Sequence, residues 1–245
     1  PPLGGLKITR KFGTYICTIS FPAKFTDFGG RTYDGFITAS HCTTRKFASD
    51  FVAIYQPVYV SGTNAIGEEH YDPNPPVDNL FGGAYIRYSD SAFIRSGTLP
   101  KVNGMAQVTS YADPGYRGSI IIRGRAPIDK LGSNNDISII GTTLSKVGAG
   151  TGGTNGKLKR TCVDVKTTAY VGTWTLRCQF TANYTFGYGD SGSPVIRYGS
   201  RPGQPFFTVN VVGINWGSTS TEVFFSPISG IIRDFGRSDS IVLLK

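Results

Sequence analysis

The chain has 245 residues, enough for one large domain or two small ones sharing a core, and 32 of them are glycine while only 17% are charged. Its formal net charge is +9, but there is no long basic block and no RNA-recognition or zinc-finger pattern. The charge reads as a solvated basic face, and no nucleic-acid partner is expected. No apolar run reaches the roughly 18 residues that cross a bilayer, so no membrane association is expected either.

Taken in chain order, short runs rich in Val, Ile, Thr, Tyr and Phe read as strands. They cover 15–21, 31–40, 50–60, 84–88 and 91–96 in the first half, and 119–125, 136–145, 160–172, 174–180, 193–199, 206–216 and 222–227 in the second. Turn dipeptides punctuate them: Asp34-Gly35, Asn103-Gly104, Asp113-Pro114, Asn155-Gly156 and Pro202-Gly203. This spacing indicates an all-β barrel or sandwich. One helix is predicted over 227–236, where Ile228, Ile231, Ile232 and Phe235 recur at helical spacing between Pro227 and Gly236. The polar stretch 97–116 is the natural boundary, giving one unit over 1–112 and another over 113–245.

Cys17, Cys42, Cys162 and Cys178 include no C-x-x-C pair. A zinc site is therefore not expected, and the even count indicates two disulfides and an oxidising, extracellular compartment. The chain opens Pro1-Pro2 without methionine or signal peptide, which reads as a mature or trimmed secreted form. The run Gly148–Gly153 satisfies G-x-G-x-x-G, but an Asn-Gly turn follows it instead of a helix, so it reads as a glycine-rich β connection. The acidic segment 68–72 reads as a solvated loop, not a metal site, and the sequon at Asn183 permits glycosylation in a secretory pathway.

Three short motifs carry chemistry. His41, one of two histidines, follows a strand-like run in "TASHC", next to a cysteine that would fix its position as a general base requires. "GDSGSPV" places Ser191 between Gly189 and Gly192. A nucleophilic serine needs a sharp turn whose amides face the developing oxyanion, and the N–H groups of Gly189 and Ser191 are the candidates. Asp90 opens an otherwise apolar run, "DSAFI", where a buried carboxylate could orient the imidazole.

In this order and at these spacings, the motifs resemble those of the chymotrypsin-like serine proteases, nearer the bacterial streptogrisin and α-lytic branch. The resemblance spans about residues 10 to 236. It implies two antiparallel six-stranded β-barrels packed together, with a C-terminal helix. It also implies a secreted endopeptidase acting through His41, Asp90 and Ser191 without cofactor or metal. Disulfides Cys17–Cys42 and Cys162–Cys178 follow from the same likeness. So does a structural ion pair between Asp190 and Lys146, where relatives carry arginine. The strand segment "INWGS" is similar to the one that pairs with substrate backbone. Thr185, Phe186, Tyr188, Asn215, Trp216, Gly217 and Val223 are then the substrate-binding candidates. Thr185 supplies no acid to the pocket base, and Ile214 stands where glutamate-specific relatives carry histidine, so an apolar or aromatic residue before the scissile bond is expected. The expected partners are a protein or peptide substrate and a proteinaceous inhibitor or pro-region, acting on a monomer. Two other readings stay open: a highly specific or latent processing protease or toxin, and a non-catalytic basic binding protein on the same fold.

Overall fold

The computed structural model describes residues 4–10, 15–60, 64–74, 85–96, 105–107, 119–125, 139–169, 172–199, 208–236 and 241–243. In chain order the strands begin β1 (Lys7–Arg10), β2 (Ile16–Thr18), β3 (Pro22–Thr26), β4 (Thr32–Thr38), β5 (Ala53–Tyr55), β6 (Ala65–Tyr71), β7 (Tyr85–Arg87) and β8 (Ala92–Arg95). They continue with β9 (Met105–Gln107), β10 (Ser119–Arg125), β11 (Thr143–Gly148), β12 (Gly152–Thr168), β13 (Thr173–Ala182), β14 (Pro194–Gly199), β15 (Thr208–Ser218), β16 (Val223–Pro227) and β17 (Ile241–Leu243). A single helical turn, Ser40–Cys42, carries His41, and α1 (Ile228–Asp234) follows β16 directly.

The first sheet runs β17-β3-β4-β8-β6-β5-β1-β2. β2 continues through residues 19–21 into β3, and Ser20 and Phe21 exchange backbone hydrogen bonds with Ile37, so the sheet curls round on itself. The second sheet closes as a ring of six, β14-β11-β12-β13-β16-β15, because β14 also pairs with β15. Closure leaves the ring of the second sheet without an open edge. All pairings within that ring and along the curled first sheet are antiparallel. Two peripheral pairings are parallel: β10 beside β15 and β7 beside β13. β7, from the first half of the chain, thus joins the second sheet, and β17, the last strand, returns to β3 of the first.

Large apolar side chains fill the interior. Ile19, Phe21, Phe36, Ile37 and Phe93 are fully buried in the first barrel, and Leu144, Leu158, Val212 and Phe225 in the second. The helix buries Ile228 and Ile231 against the first cluster, joined by Phe235 just beyond its end. Asp34-Gly35 and Asn155-Gly156 are not turns: they lie within β4 and β12. A Cβ on Gly35 would stand 2.0 Å from the Ile94 carbonyl oxygen, and one on Gly156 2.4 Å from the Tyr184 nitrogen. Those glycines admit a neighbouring backbone, a tertiary demand that looks like turn chemistry in the sequence. The other three turn dipeptides lie outside the described residues, as does the boundary stretch 97–116 apart from 105–107.

The acidic segment 68–72 is also not a solvated loop. It forms the end of β6, and Glu69 and Asp72 are buried. Glu69 Oε2 accepts the amides of Asp50 and Phe51, while Oε1 has no partner among the described residues. Burial, reinforced by Asp50 and Asp72, pushes its carboxyl up to about 8. Burial likewise raises Asp72 to about 6, against the pull of Arg87.

A folded state that holds a proton its unfolded chain releases loses stability as pH rises through that window. Between about pH 4.5 and about 8 Glu69 contributes a falling stability, at most about 1.4 kcal/mol per pH unit. Asp72 adds the same sign between 3.8 and about 6. Glu69→Gln is expected to flatten the slope above pH 6 in denaturant titrations across this range. An unchanged slope would assign the proton elsewhere.

Candidate active site

His41 sits on the turn that follows β4. Its backbone N–H donates to Asp90 Oδ1 at 3.1 Å, and its Nδ1 meets Asp90 Oδ2 at 3.0 Å. Two bonds to one carboxylate fix both the turn and the ring. Asp90 is fully buried. Burial alone would raise its pKa, but the Lys46 ammonium, the His41 ring and the His41 amide outweigh it and hold the carboxyl far below the usual carboxylate range. Asp90 is therefore ionised whenever the protein is folded near neutrality.

The loops bearing these residues rest on a buried polar scaffold. Arg87, with no exposed surface, donates to Asp72 Oδ1 at 2.6 Å, to the Ser91 carbonyl at 2.8 Å and to Asp234 Oδ2 at 3.4 Å. Asp72 accepts from Ser40 Oγ and from the Phe47 amide, on either side of His41. Asp234, the last residue of α1, accepts the Tyr88 amide and Ser89 Oγ beside Asp90. Sequence reading missed Arg87, Asp72 and Asp234. Asp72 and Asp234 lie remote in the chain from the loops they hold, and Arg87, although close to Asp90 in sequence, takes its two carboxylate partners from positions 15 and 147 residues away, so no local pattern marks them.

Ser191 lies on the turn between β13 and β14. Gly189 and Gly192 have φ of +95° and +87°, a region open to glycine at little cost. A Cβ on Gly192 would reach 2.3 Å from the Thr18 carbonyl oxygen. Thr18, on β2 of the first barrel, gives its amide to the Ser191 carbonyl at 2.8 Å and its hydroxyl to the Gly189 carbonyl at 2.7 Å. Among the described residues the amides of Gly189 and Ser191 donate no hydrogen bond, while those of Asp190, Gly192 and Ser193 all do.

Asp190 faces inward, fully buried. Lys146 Nζ donates to its Oδ2 at 2.7 Å, and the same oxygen accepts Thr151 Oγ1 and the Gly187 amide. Oδ1 accepts the amides of Gly150 and Thr151. Burial opposes ionisation of Asp190, but these bonds prevail and keep its pKa lowered. A Cβ on Gly148 would come within 2.3 Å of Asp190 Oδ1, and one on Gly150 within 2.2 Å of the Tyr188 carbonyl oxygen. The G-x-G-x-x-G run is the β11–β12 hairpin wrapped on this carboxylate.

A cleft of about 530 Å³ gathers Tyr15, Ile16, His41 and Lys46 from the first barrel, and Thr167, Phe186, Tyr188, Gly189, Ser191, Trp216 and Gly217 from the second. Three of the substrate-binding candidates do not line it. Thr185 is exposed outside it, with its carbonyl bonded to Thr154; Val223 is buried in the second core. Asn215 is buried as a brace, accepting the Tyr184 hydroxyl at 2.6 Å and donating to Ser193 Oγ at 2.9 Å. Glu222 pairs with Arg160.

Both disulfides, Cys17–Cys42 and Cys162–Cys178, are formed. The first ties β2 to the turn that bears His41. The one metal-like cluster among the described residues is Cys17, His41 and Cys42, and its sulfurs are consumed by that disulfide, leaving no thiolate to ligate. No described helix is long and apolar enough to cross a membrane.

No family model matches the chain, and no curated protein matches it in sequence. Solved structures do. Thermobifida fusca protease A superposes with a TM-score of 0.63 at 21% identity, covering 100% of this chain and 98% of its own. Nocardiopsis protease gives 0.64 at 17%, covering 100% and 99%. Cellulomonas bogoriensis chymotrypsin gives 0.61 at 18%, covering 99% and 97%. The fold is that of the chymotrypsin-like serine proteases.

Breaking a buried ion pair by removing one partner costs about 3–5 kcal/mol, because the remaining charge stays in a dry site. Lys146→Met is expected to lower the denaturation midpoint accordingly with an unchanged denaturant slope. A loss under 1 kcal/mol would mean that the surrounding amides satisfy Asp190 without the cation.

Proposed function

We propose that the protein is a serine endopeptidase of the extracellular space, with Ser191 as nucleophile, His41 as general base and then acid, and Asp90 as the carboxylate that orients the imidazole. The observation that carries this reading is the imidazole, locked by a buried ionised Asp90, in one cleft with a serine whose turn leaves the amides of Gly189 and Ser191 without an acceptor among the described residues.

In the reaction His41 takes the Ser191 proton as the hydroxyl oxygen attacks the scissile carbonyl. The amides of Gly189 and Ser191 receive the negative charge that develops on the carbonyl oxygen. His41, now imidazolium and stabilised by Asp90, returns the proton to the leaving amine. An acyl-enzyme remains, and a water deprotonated by His41 releases it. The Lys146–Asp190 pair takes no part in proton transfer and serves to hold the turn. The two disulfides support an oxidising compartment.

Phe186, Trp216 and Gly217 offer an apolar wall, and the described cleft residues include no carboxylate. We therefore assign an apolar or aromatic residue to the position before the scissile bond of a protein or peptide substrate. One structural neighbour is described as a glutamic acid specific serine protease that uses a histidine triad in substrate binding. Here Ile214 is buried, and the chain's other histidine, His70, stands among Phe25, Tyr33 and Phe93 of the first barrel.

A fluorophosphonate probe is expected to label the wild type and leave Ser191→Ala unlabelled, with the two proteins showing the same melting curve. A folded wild type that neither labels nor cleaves an apolar peptide library would reject the peptidase reading.

A further inference from the structure

We propose that Lys46 is a positioning residue for the base: its ammonium shares the Asp90 oxygen that orients His41 and so keeps the imidazole unprotonated to lower pH. The catalytic consequence rests on the peptidase reading, but the electrostatic one does not.

The geometry is specific. Lys46 lies five residues after His41, on the loop that leaves the helical turn. Its neighbour Phe47 adopts φ of +67°, uncommon for a residue with a side chain, and is held there by amide bonds to Ser40 Oγ at 2.7 Å and Asp72 Oδ2 at 3.1 Å. The Phe47 ring is buried between Trp174 and the Arg87 guanidinium. This clamp turns Lys46 back over the cleft. Its Nζ stands 3.3 Å from Asp90 Oδ2 and donates to Thr167 Oγ1, on β12 of the other barrel, at 2.7 Å. The ammonium also lies over the rings of Phe47 and Trp216, and the side chain is 16% exposed.

Asp90 Oδ2 thus faces two cationic partners at once, Lys46 Nζ and, after proton transfer, the His41 imidazolium. A carboxylate already paired with an ammonium stabilises a second cation less, and the two cations repel each other. Other charged groups near the pair are arranged independently of Lys46. Arg87 sits behind Asp90 with Asp72 and Asp234, and Arg10 lies across the histidine turn, over the Tyr15 ring and bonded to the Thr43 carbonyl. Among the described residues that line the cleft, Lys46 is the one fully charged side chain. Bound substrate would strip water from it and strengthen the effect.

The chain's two histidines make the test direct. The His41 ring proton is followed by NMR across pH, with His70→Gln separating the signals. In Lys46→Met the His41 midpoint should rise by about half to one pH unit, and Lys46→Arg should restore it. The acid limb of kcat/KM against apolar peptides should move in parallel, which a merely structural role would not produce. If Lys46→Met does not fold, Lys46→Gln, which keeps a donor for Thr167, gives the same reading. Coincident His41 titrations in folded wild type and in either neutral variant would overturn the proposal. A shifted titration in a protein whose wild type cleaves nothing would uphold it and reject the peptidase reading.

Discussion

Lys146 and Asp190 meet at 2.7 Å beneath the serine turn, both without exposure to water, and the placement of that turn follows from their pairing. Two buried charges are costly unless every lone pair finds a donor. Asp190 meets that condition with the ammonium, the Thr151 hydroxyl and three backbone amides, drawn from β11, the hairpin that follows it and the turn itself. With Asp190 pinned inward, Ser191 beside it is left on the cleft. The glycines of the hairpin become necessary for a steric reason, since a methyl group at 148 or 150 would occupy the space of the carboxylate or of the turn's backbone.

The cleft is also where the two barrels are fastened together. Thr18 of the first barrel holds the carbonyls of Gly189 and Ser191 in the second. Lys46 of the first holds Thr167 of the second. In the other direction, Ser226 of the second barrel accepts the Asp90 amide and passes a hydrogen bond to Gln179, which also receives the Trp216 indole N–H. Each functional loop is therefore anchored by the barrel that does not carry it. Such cross-anchoring keeps the two halves of a constellation in register, because a shift of either barrel breaks bonds at both.

Much of the fold was legible in the chain because its signals are local. Most predicted strands overlap real ones, and the apolar spacing over 227–236 marks the helix at 228–234. What escaped had a common cause. β1 and β3 are short and partly polar, and β12 begins at Gly152, well before the predicted start at 160, because its glycines are there for close packing. The Asp34-Gly35 and Asn155-Gly156 pairs looked like turns, since a sequence does not show which backbone will press against a residue. The acidic segment 68–72 looked solvated, since only the three-dimensional arrangement brings Arg87 to Asp72 and the Asp50 and Phe51 amides to Glu69.

The sequence by itself determined the three short motifs around His41, Asp90 and Ser191, the strand-rich all-β pattern and the even set of cysteines. All are written in contiguous residues or simple spacings. Only the tertiary structure decided what surrounds them: Asn215 as a brace, Thr185 and Val223 away from the cleft, Arg87 as the keystone of both loops and Lys46 as a counter-ion to Asp90. The reason is physical. Burial, charge pairing and close backbone approach depend on contacts between residues tens of positions apart, and those distances exist only once both barrels have closed.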